Sequence, residues 1–329
     1  MNLYDLYRKH LLAFPAQLKP LQGNLLRVET LRGAKPDGVV VVGMGGSGLP
    51  GIFLKALAGY LRLPVPVEAW KNHGLPKTSF QRPLFIFISF SGNTEETLSG
   101  LRVFLKRRAP RGSAAVIAGG GKLKALAAQH HLPCASFQAT DLTPREGMGY
   151  LYYNLLSLLR VAFPSLNVNN LTRTIRSARG ERIGKELAKH LAKKVVLIYS
   201  GGGFSHVGQA WKIILNETAK QLAFVNTYPE MGHNEIAALG DAARTVAAVF
   251  LRDTPESPHE KKHFEAIEAL LRNGGISVSN VSPAGRTAEE RTWNAFLLGH
   301  WTALAIAKQK KVNPQKTPLI ERLKKEVNR

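Results

Sequence analysis

Val39-Val40-Val41-Val42-Gly43-Met44-Gly45-Gly46-Ser47-Gly48 is the stretch that decides the fold. Four valines in a row, without polar alternation, describe a strand covered on both faces. The glycines after it let the chain turn into segment 49–61, which reads as a helix. The same succession continues outward. Short strands are expected at 65–69, 84–89, 114–118 and 135–137, with helices at 95–107 and 123–131. Strands alternating with helices imply a parallel sheet covered on both faces. A helix over 147–163 closes this half, and the Asn-rich segment 164–170 reads as a connector.

The second half repeats the theme. A helix over 171–193 leads to the apolar run 195–199, which ends in Ser200-Gly201-Gly202-Gly203 and passes into another helix through residue 215. Strands at 222–227, 245–251 and 276–281 and helices at 258–272 and 287–307 follow. Asn313-Pro314 and Thr317-Pro318 break the chain before a tail helix at 319–327, which Thr317 is placed to cap. The expectation is an α/β protein of two doubly wound halves, 1–164 and 165–329, each a mostly parallel sheet flanked by helices.

Composition narrows the function classes. The 329 residues include 45 Lys and Arg against 23 Asp and Glu, a net charge of +22. Such a charge suits a nucleic-acid binder or an enzyme that draws in anionic substrates. The excess is spread over several helical stretches, including 102–111, 173–194 and 310–329, so solvated helix faces account for it. No Cys/His finger spacing or aromatic-rich single-strand signature is present, which argues against a specific nucleic-acid reader. No stretch is both long and uncharged enough to span a bilayer, and the N-terminus lacks the order of a signal peptide, so a soluble cytoplasmic protein is expected. Cys134, the one cysteine, reads as a buried small hydrophobe.

The turn 43–48 lies where an open parallel sheet binds ligands, beyond the carboxyl end of a strand and at the start of a helix. Free backbone N–H groups favour an anion there, and Ser47 adds a hydroxyl. Gly43, Gly45 and Gly48 also satisfy the dinucleotide spacing G-x-G-x-x-G, and Glu68 could be its acidic partner, so this turn alone leaves a dinucleotide site open. A second turn, Ser89-Phe90-Ser91-Gly92-Asn93-Thr94-Glu95-Glu96-Thr97, shifts the balance. Capping by Ser91 or Asn93 explains one hydroxyl. Ser89, Ser91 and Thr94 together can ring the oxygens of a phosphate monoester, and a dinucleotide site leaves them without a task.

The two turns together resemble the sugar isomerase (SIS) domain. Leu215-Asn216-Glu217-Thr218-Ala219-Lys220, Glu230-Met231-Gly232-His233-Asn234-Glu235 and Asn313-Pro314-Gln315-Lys316-Thr317-Pro318 resemble second-half motifs of the bifunctional phosphoglucose/phosphomannose isomerases, so the likeness spans nearly the whole chain. It implies two SIS-type subdomains and aldose–ketose isomerisation between glucose or mannose 6-phosphate and fructose 6-phosphate, without a metal or redox cofactor. It places Gly45, Gly46, Ser47, Ser89, Ser91 and Thr94 around the phosphate. Glu217 becomes the base between C1 and C2, Arg145 the enediolate stabiliser, and Lys324 an aid to ring opening. Thr317 leaves room for either C2 epimer. His233 becomes the ring-opening group, donated by the partner subunit of a homodimer.

Those residue types fit the chemistry, which needs a carboxylate, a cation beside the developing oxyanion, and an acid/base for the ring oxygen. Each has a plainer competitor. Glu217 could form an i, i+3 ion pair with Lys220, His233 could serve a turn, and an arginine in a basic protein is usually solvated. Two positions depart from the pattern. Glu146-Gly147-Met148-Gly149 replaces the apolar, proline-containing continuation expected after Arg145. Ala210-Trp211-Lys212 stands where an arginine precedes tryptophan, so either Lys212 supplies that charge or the activity is altered. The resemblance also covers noncatalytic sugar-phosphate regulators, but no DNA-reading pattern precedes Val39.

Overall fold

Runs of β-branched and aromatic residues too short for helices form the strands of two sheets, and amphipathic stretches between them form the covering helices. The computed structural model describes residues 2–19, 24–107, 109–110, 112–138, 141–168, 175, 177–239, 244–254 and 256–327. In chain order the earlier elements are α1 (Leu3–Gln17), β1 (Leu25–Leu26), β2 (Gly38–Val42), α2 (Gly45–Leu57), β3 (Val67–Trp70), β4 (Pro83–Ser89), α3 (Glu95–Leu105), β5 (Ala114–Ala118), α4 (Gly121–Gln129), β6 (Cys134–Ser136) and α5 (Met148–Ala162). The later ones are α6 (Gly180–Leu191), β7 (Val195–Ser200), α7 (Ser205–Thr218), β8 (Ala223–Thr227), β9 (Val246–Leu251), α8 (Pro258–Asn273), β10 (Ser277–Val281), α9 (Ala288–Gln309) and α10 (Pro318–Val327).

These elements make two compact units. One comprises residues 13–175 with 287–290, and the other residues 1–12, 176–286 and 291–329. The first holds a six-stranded sheet of order β1-β6-β5-β4-β2-β3, parallel except for β1, which runs antiparallel to β6. The second holds an all-parallel sheet of order β10-β9-β7-β8. The chain is an α/β protein with two doubly wound, mostly parallel sheets flanked by helices.

Three differences from the sequence reading have physical causes. Helix α2 begins at Gly45 inside the glycine-rich turn, not at residue 49, because Gly45 accepts φ +50 there. Helix α1 went unrecognised, although Tyr7, Leu11, Phe14 and Leu18 form one buried stripe at helical spacing and Asn2 Oδ1 accepts the Tyr4 and Asp5 N–H groups. Strand β1 is too short for its period to register in sequence. Of the helix expected from residue 171, positions 171–174 and 176 lie outside the described residues; a 3₁₀ turn at Ser177–Arg179 leads into α6.

In the first sheet, Val40, Val42, Phe85 and Phe87 pack on Leu98, Leu101 and Phe104 of α3 and on Leu123 and Ala127 of α4. The other face meets α2. A Cβ added at Gly51 would lie 2.9 Å from Val41 Cβ, so glycine is what allows the helix to sit this close. Val39 to Val42 are each at most 2% exposed, which explains a strand with no polar alternation. Cys134 is buried in this core, as expected, and burial pushes its thiol pKa up.

In the second sheet, Val195, Leu197 and Tyr199 face Met231 and, from α8, Phe264 and Ile267. Ile198 and Val225 face α7 on the other side, where Gly208 permits close approach. Residues 3–12 of α1 belong to this unit. Tyr7 Oη is hydrogen-bonded to Thr218 Oγ1 at 2.9 Å and His300 Nδ1 at 2.7 Å, and Arg8 pairs with Glu181 at 2.9 Å. Among the described residues no helix is long and apolar enough to cross a membrane.

His206, at the start of α7, is buried and hydrogen-bonded to Thr292 Oγ1 of α9 at 2.9 Å. Burial pushes its pKa down to about 4, partly opposed by a hydrogen bond with the Gly203 backbone. The unfolded chain therefore takes up this proton near pH 6.5 while the folded chain resists it. Stability from this group is full above pH 6.5 and falls as pH drops toward 4, by about 3 kcal/mol in all. Thermal melts of wild type and His206→Gln between pH 7 and 4.5 should show a shallower pH slope in the variant; equal slopes would remove His206 from this role.

Candidate active site

The topology fixes where a ligand can sit in the first unit. The chain leaves β2 for β3 on one side and later leaves β4 for β5 on the other, so the crevice beyond the ends of β2 and β4 is the switch point of the sheet. Both turns singled out in sequence end there. Because α2 starts at Gly45, the N–H groups of Gly45, Gly46 and Ser47 belong to its first turn and have no partner within the helix. They form the positive end of the helix dipole.

The hydroxyl turn is folded by its own side chains. Ser89 Oγ accepts the Gly92 N–H at 3.0 Å and is hydrogen-bonded to Thr94 Oγ1 at 2.9 Å. Ser91 Oγ accepts the Asn93 N–H at 3.2 Å. Gly92 stands at φ +71, where a Cβ would come within 1.8 Å of the Gly120 carbonyl oxygen, so only glycine fits. Ser47 links the turns, since its Oγ accepts the Phe90 N–H at 3.0 Å. Neither Ser91 nor Asn93 caps α3, whose N-cap Thr94 makes no side-chain cap hydrogen bond; Ser89 is fully buried as a hub, and Ser91 is exposed.

Arg145 is brought to the same place. A Cβ added at Gly46 would lie 3.0 Å from the Arg145 backbone nitrogen and 3.1 Å from the Pro144 carbonyl carbon. The side chain is 2% exposed, which sets aside the solvated-arginine reading. The departure after Arg145 has a local role. Glu146 Oε2 accepts the Thr143 N–H at 3.1 Å and the Thr143 hydroxyl at 2.7 Å, and the Glu146 carbonyl accepts from Gln17 Nε2 at 2.9 Å. Glu146 thus braces the residue beside it.

One residue here escaped the sequence reading. Lys71 directly follows β3, in register beside β2, and a Cβ added at Gly48 would lie 3.2 Å from Lys71 Cε. The side chain crosses the start of α2. Its signal in sequence was only its place at the carboxyl end of a strand.

In the second unit, Glu217 is half-buried near the end of α7. Lys220 turns back through φ +48, and its Nζ donates to the Glu217 carbonyl at 2.7 Å and to the Asn313 carbonyl at 2.6 Å. This joins the Glu217 helix end to the loop that carries Thr317. Asn313 Oδ1 accepts the N–H groups of Gln315 and Lys316 and shapes that loop. Thr317 is half-buried just before α10, with Pro318 in the first helical position, while Lys324 is exposed on α10. At the second departure, Trp211 is fully buried with Nε1 donating to the Ala295 carbonyl at 2.8 Å, and Lys212 is half-buried.

His233 is not brought to Glu217. It ends the 3₁₀ turn Glu230–His233, on the face of the second sheet that carries Tyr199, Met231 and α8, whereas α7 and Glu217 cover the opposite face. The neighbouring Glu235 is fixed by Tyr199 Oη at 2.9 Å and Asn226 Nδ2 at 2.6 Å, a brace with no sequence signal. Burial and this hydrogen bond to Glu235 raise the Tyr199 pKa.

The family model for the bacterial phospho-glucose isomerase C-terminal SIS domain matches residues 181–327. A bifunctional phosphoglucose/phosphomannose isomerase of Aquifex aeolicus is 27% identical over 89% of this chain and 91% of its own. One from Thermoplasma acidophilum is 26% identical over 98% of this chain and 99% of its own. The fold is shared with a hypothetical protein of Thermus thermophilus at a TM-score of 0.74 and 18% identity, covering 99% of this chain and 94% of that one. With the two strand-end turns joined through Ser47 and the Glu217 helix tied to the Thr317 loop, the chain is similar over most of its length to bifunctional phosphoglucose/phosphomannose isomerases, and its residues 181–327 match the C-terminal SIS domain of bacterial phospho-glucose isomerases.

Proposed function

We propose that the protein interconverts glucose 6-phosphate, and mannose 6-phosphate, with fructose 6-phosphate through a cis-enediol. The observation that carries this is the convergence of both turns and Arg145 at one switch point, in a chain alike over most of its length to bifunctional phosphoglucose/phosphomannose isomerases. In this reading residues 1–164 hold the phosphate and residues 165–329 supply the proton chemistry. The free amides of Gly45, Gly46 and Ser47 and the hydroxyls of Ser91 and Thr94 surround the phosphate, with the buried Ser89 holding the turn beneath them. Lys71 adds an ammonium.

Glu217 takes the proton from C2 of the open-chain aldose and returns it to C1. The negative charge then developing on the carbonyl oxygen is met by the Arg145 guanidinium, a cation already positioned and shielded from water. His233 and Lys324 move the proton that opens the ring, and Thr317 leaves space on either side of C2. A single carboxylate suffices because the enediol has no configuration at C2. Substrates of this charge are confined by a bilayer, which favours a cytoplasmic location.

A homodimer follows in the same reading. The second sheet stands between Glu217 and His233 of one chain, which supports His233 acting in the site of a partner. Edge strand β8 leaves Phe224 52% exposed, and α10 leaves Leu319 and Val327 78% and 76% exposed. Apolar surface of this kind is typical of an interface.

Incubation with each aldose phosphate should yield fructose 6-phosphate, and absence of turnover with both would sink the assignment. Glu217→Gln should lower kcat by about 10³-fold or more while sugar-phosphate binding, read by thermal shift, persists. Lys71→Met should raise KM about 10-fold with kcat within about twofold, the loss of one charge-assisted phosphate contact; an unchanged KM removes Lys71 from the site. Mixing inactive Glu217→Gln and His233→Ala chains, after dissociation and reassociation, should restore up to about a quarter of wild-type activity, since one of the two sites in a mixed dimer is intact. No recovery from mixtures shown to contain mixed dimers would place both residues in one chain's site.

A further inference from the structure

A second cavity lies in the first unit, far from the phosphate turns. It has a volume of about 660 Å³, within the size range of small-molecule sites, and is framed by α5 and by the segment that follows β1. Strand β1 pairs with β6 so that Leu26 meets Cys134, the first residue of β6, and the chain then continues past the amino ends of the parallel strands. Helix α5 starts just after Arg145, beside Gly46, and its 15 residues run about 22 Å to this cavity at its far end. The cavity and the phosphate cradle therefore occupy opposite ends of the sheet.

The lining is chemically specific. Arg32 approaches from the 3₁₀ segment after β1, and Arg160 from the last turn of α5. No carboxylate among the described residues pairs with either guanidinium. Tyr153 and Ser157 stand on the same face of α5 as Arg160, at i, i+4 and i+7, and Asn24 closes the polar side. Leu25, Leu156 and Val168 provide an apolar wall. Two cations and several neutral polar groups against one apolar surface match a ligand with an anionic head and an apolar body. The carbonyls ending α5 would repel such a head, and Arg160 and Arg32 offset that field.

We propose that this cavity is a second ligand site, for a small organic anion with an apolar or planar body, separate from the sugar-phosphate site and independent of the isomerase assignment. The probe is 8-anilinonaphthalene-1-sulfonate, which carries both features, titrated by fluorescence into the full chain. Saturable binding at one site per chain is expected. Arg32→Ser with Arg160→Ser should weaken it at least about 10-fold, with an unchanged far-UV spectrum and melting temperature. Ser91→Ala should leave it unchanged. Naphthalene-1-sulfonate should displace the probe, and the neutral 1-naphthylmethanol should not. Should the double variant fail to fold, Ser157→Trp, which fills the cavity from α5, should abolish binding. The proposal is overturned by absence of saturable binding in the wild type, by affinity retained in a folded variant, by loss with Ser91→Ala, or by equal displacement by the neutral compound.

Discussion

The Phe90 N–H donated to Ser47 Oγ is a single hydrogen bond between two turns that come from different strands. Without it, the amides that begin α2 and the hydroxyls that precede α3 would be two separate helix starts. With it they share one geometry, set by the parallel pairing of β2 with β4. A phosphate needs several donors arranged around one point, and donors on independent loops would have to be ordered anew on each binding event. Here the two turns are already joined and ordered by the protein itself. The buried Ser89 and the left-handed Gly92 hold the second turn, so the site rests on sheet register rather than on side-chain flexibility.

Much of this was legible in the chain. Val39 to Val42 announced a doubly covered strand, and the alternation around it announced the class of fold. The glycine turn was found, but its helix was started four residues late, because helix propensity penalises the glycines that the N-terminal turn needs. Helix α1 was written in the spacing of Tyr7, Leu11, Phe14 and Leu18 and was overlooked. The contacts made by Lys71, Lys220 and Glu235 were not legible. Their positions depend on which strand lies beside which, or on a bond to a residue far along the chain, and local pattern carries neither kind of information.

Burial separates the competing readings of Arg145. An arginine in a basic chain is ordinarily at the surface, yet Arg145 is buried, with its backbone against the glycine-rich turn. Lys220 directs its ammonium to two backbone carbonyls and so ties the Glu217 helix to the Thr317 loop. The second sheet keeps Glu217 and His233 of one chain on opposite faces, a separation that no one-dimensional motif could display.

The first twelve residues have a consequence for how the molecule matures. Tyr7 finds its partners at Thr218 and His300, the latter 293 positions away, and Arg8 finds Glu181. This end of α1 is therefore held by a contact that spans 293 positions, while the sheet of the other unit is built from residues nearer one another in sequence. Contacts of such sequence separation close late and slowly. Until that contact closes, Tyr7 and Leu11 of the α1 stripe are uncovered, a window for self-association that the finished fold no longer shows.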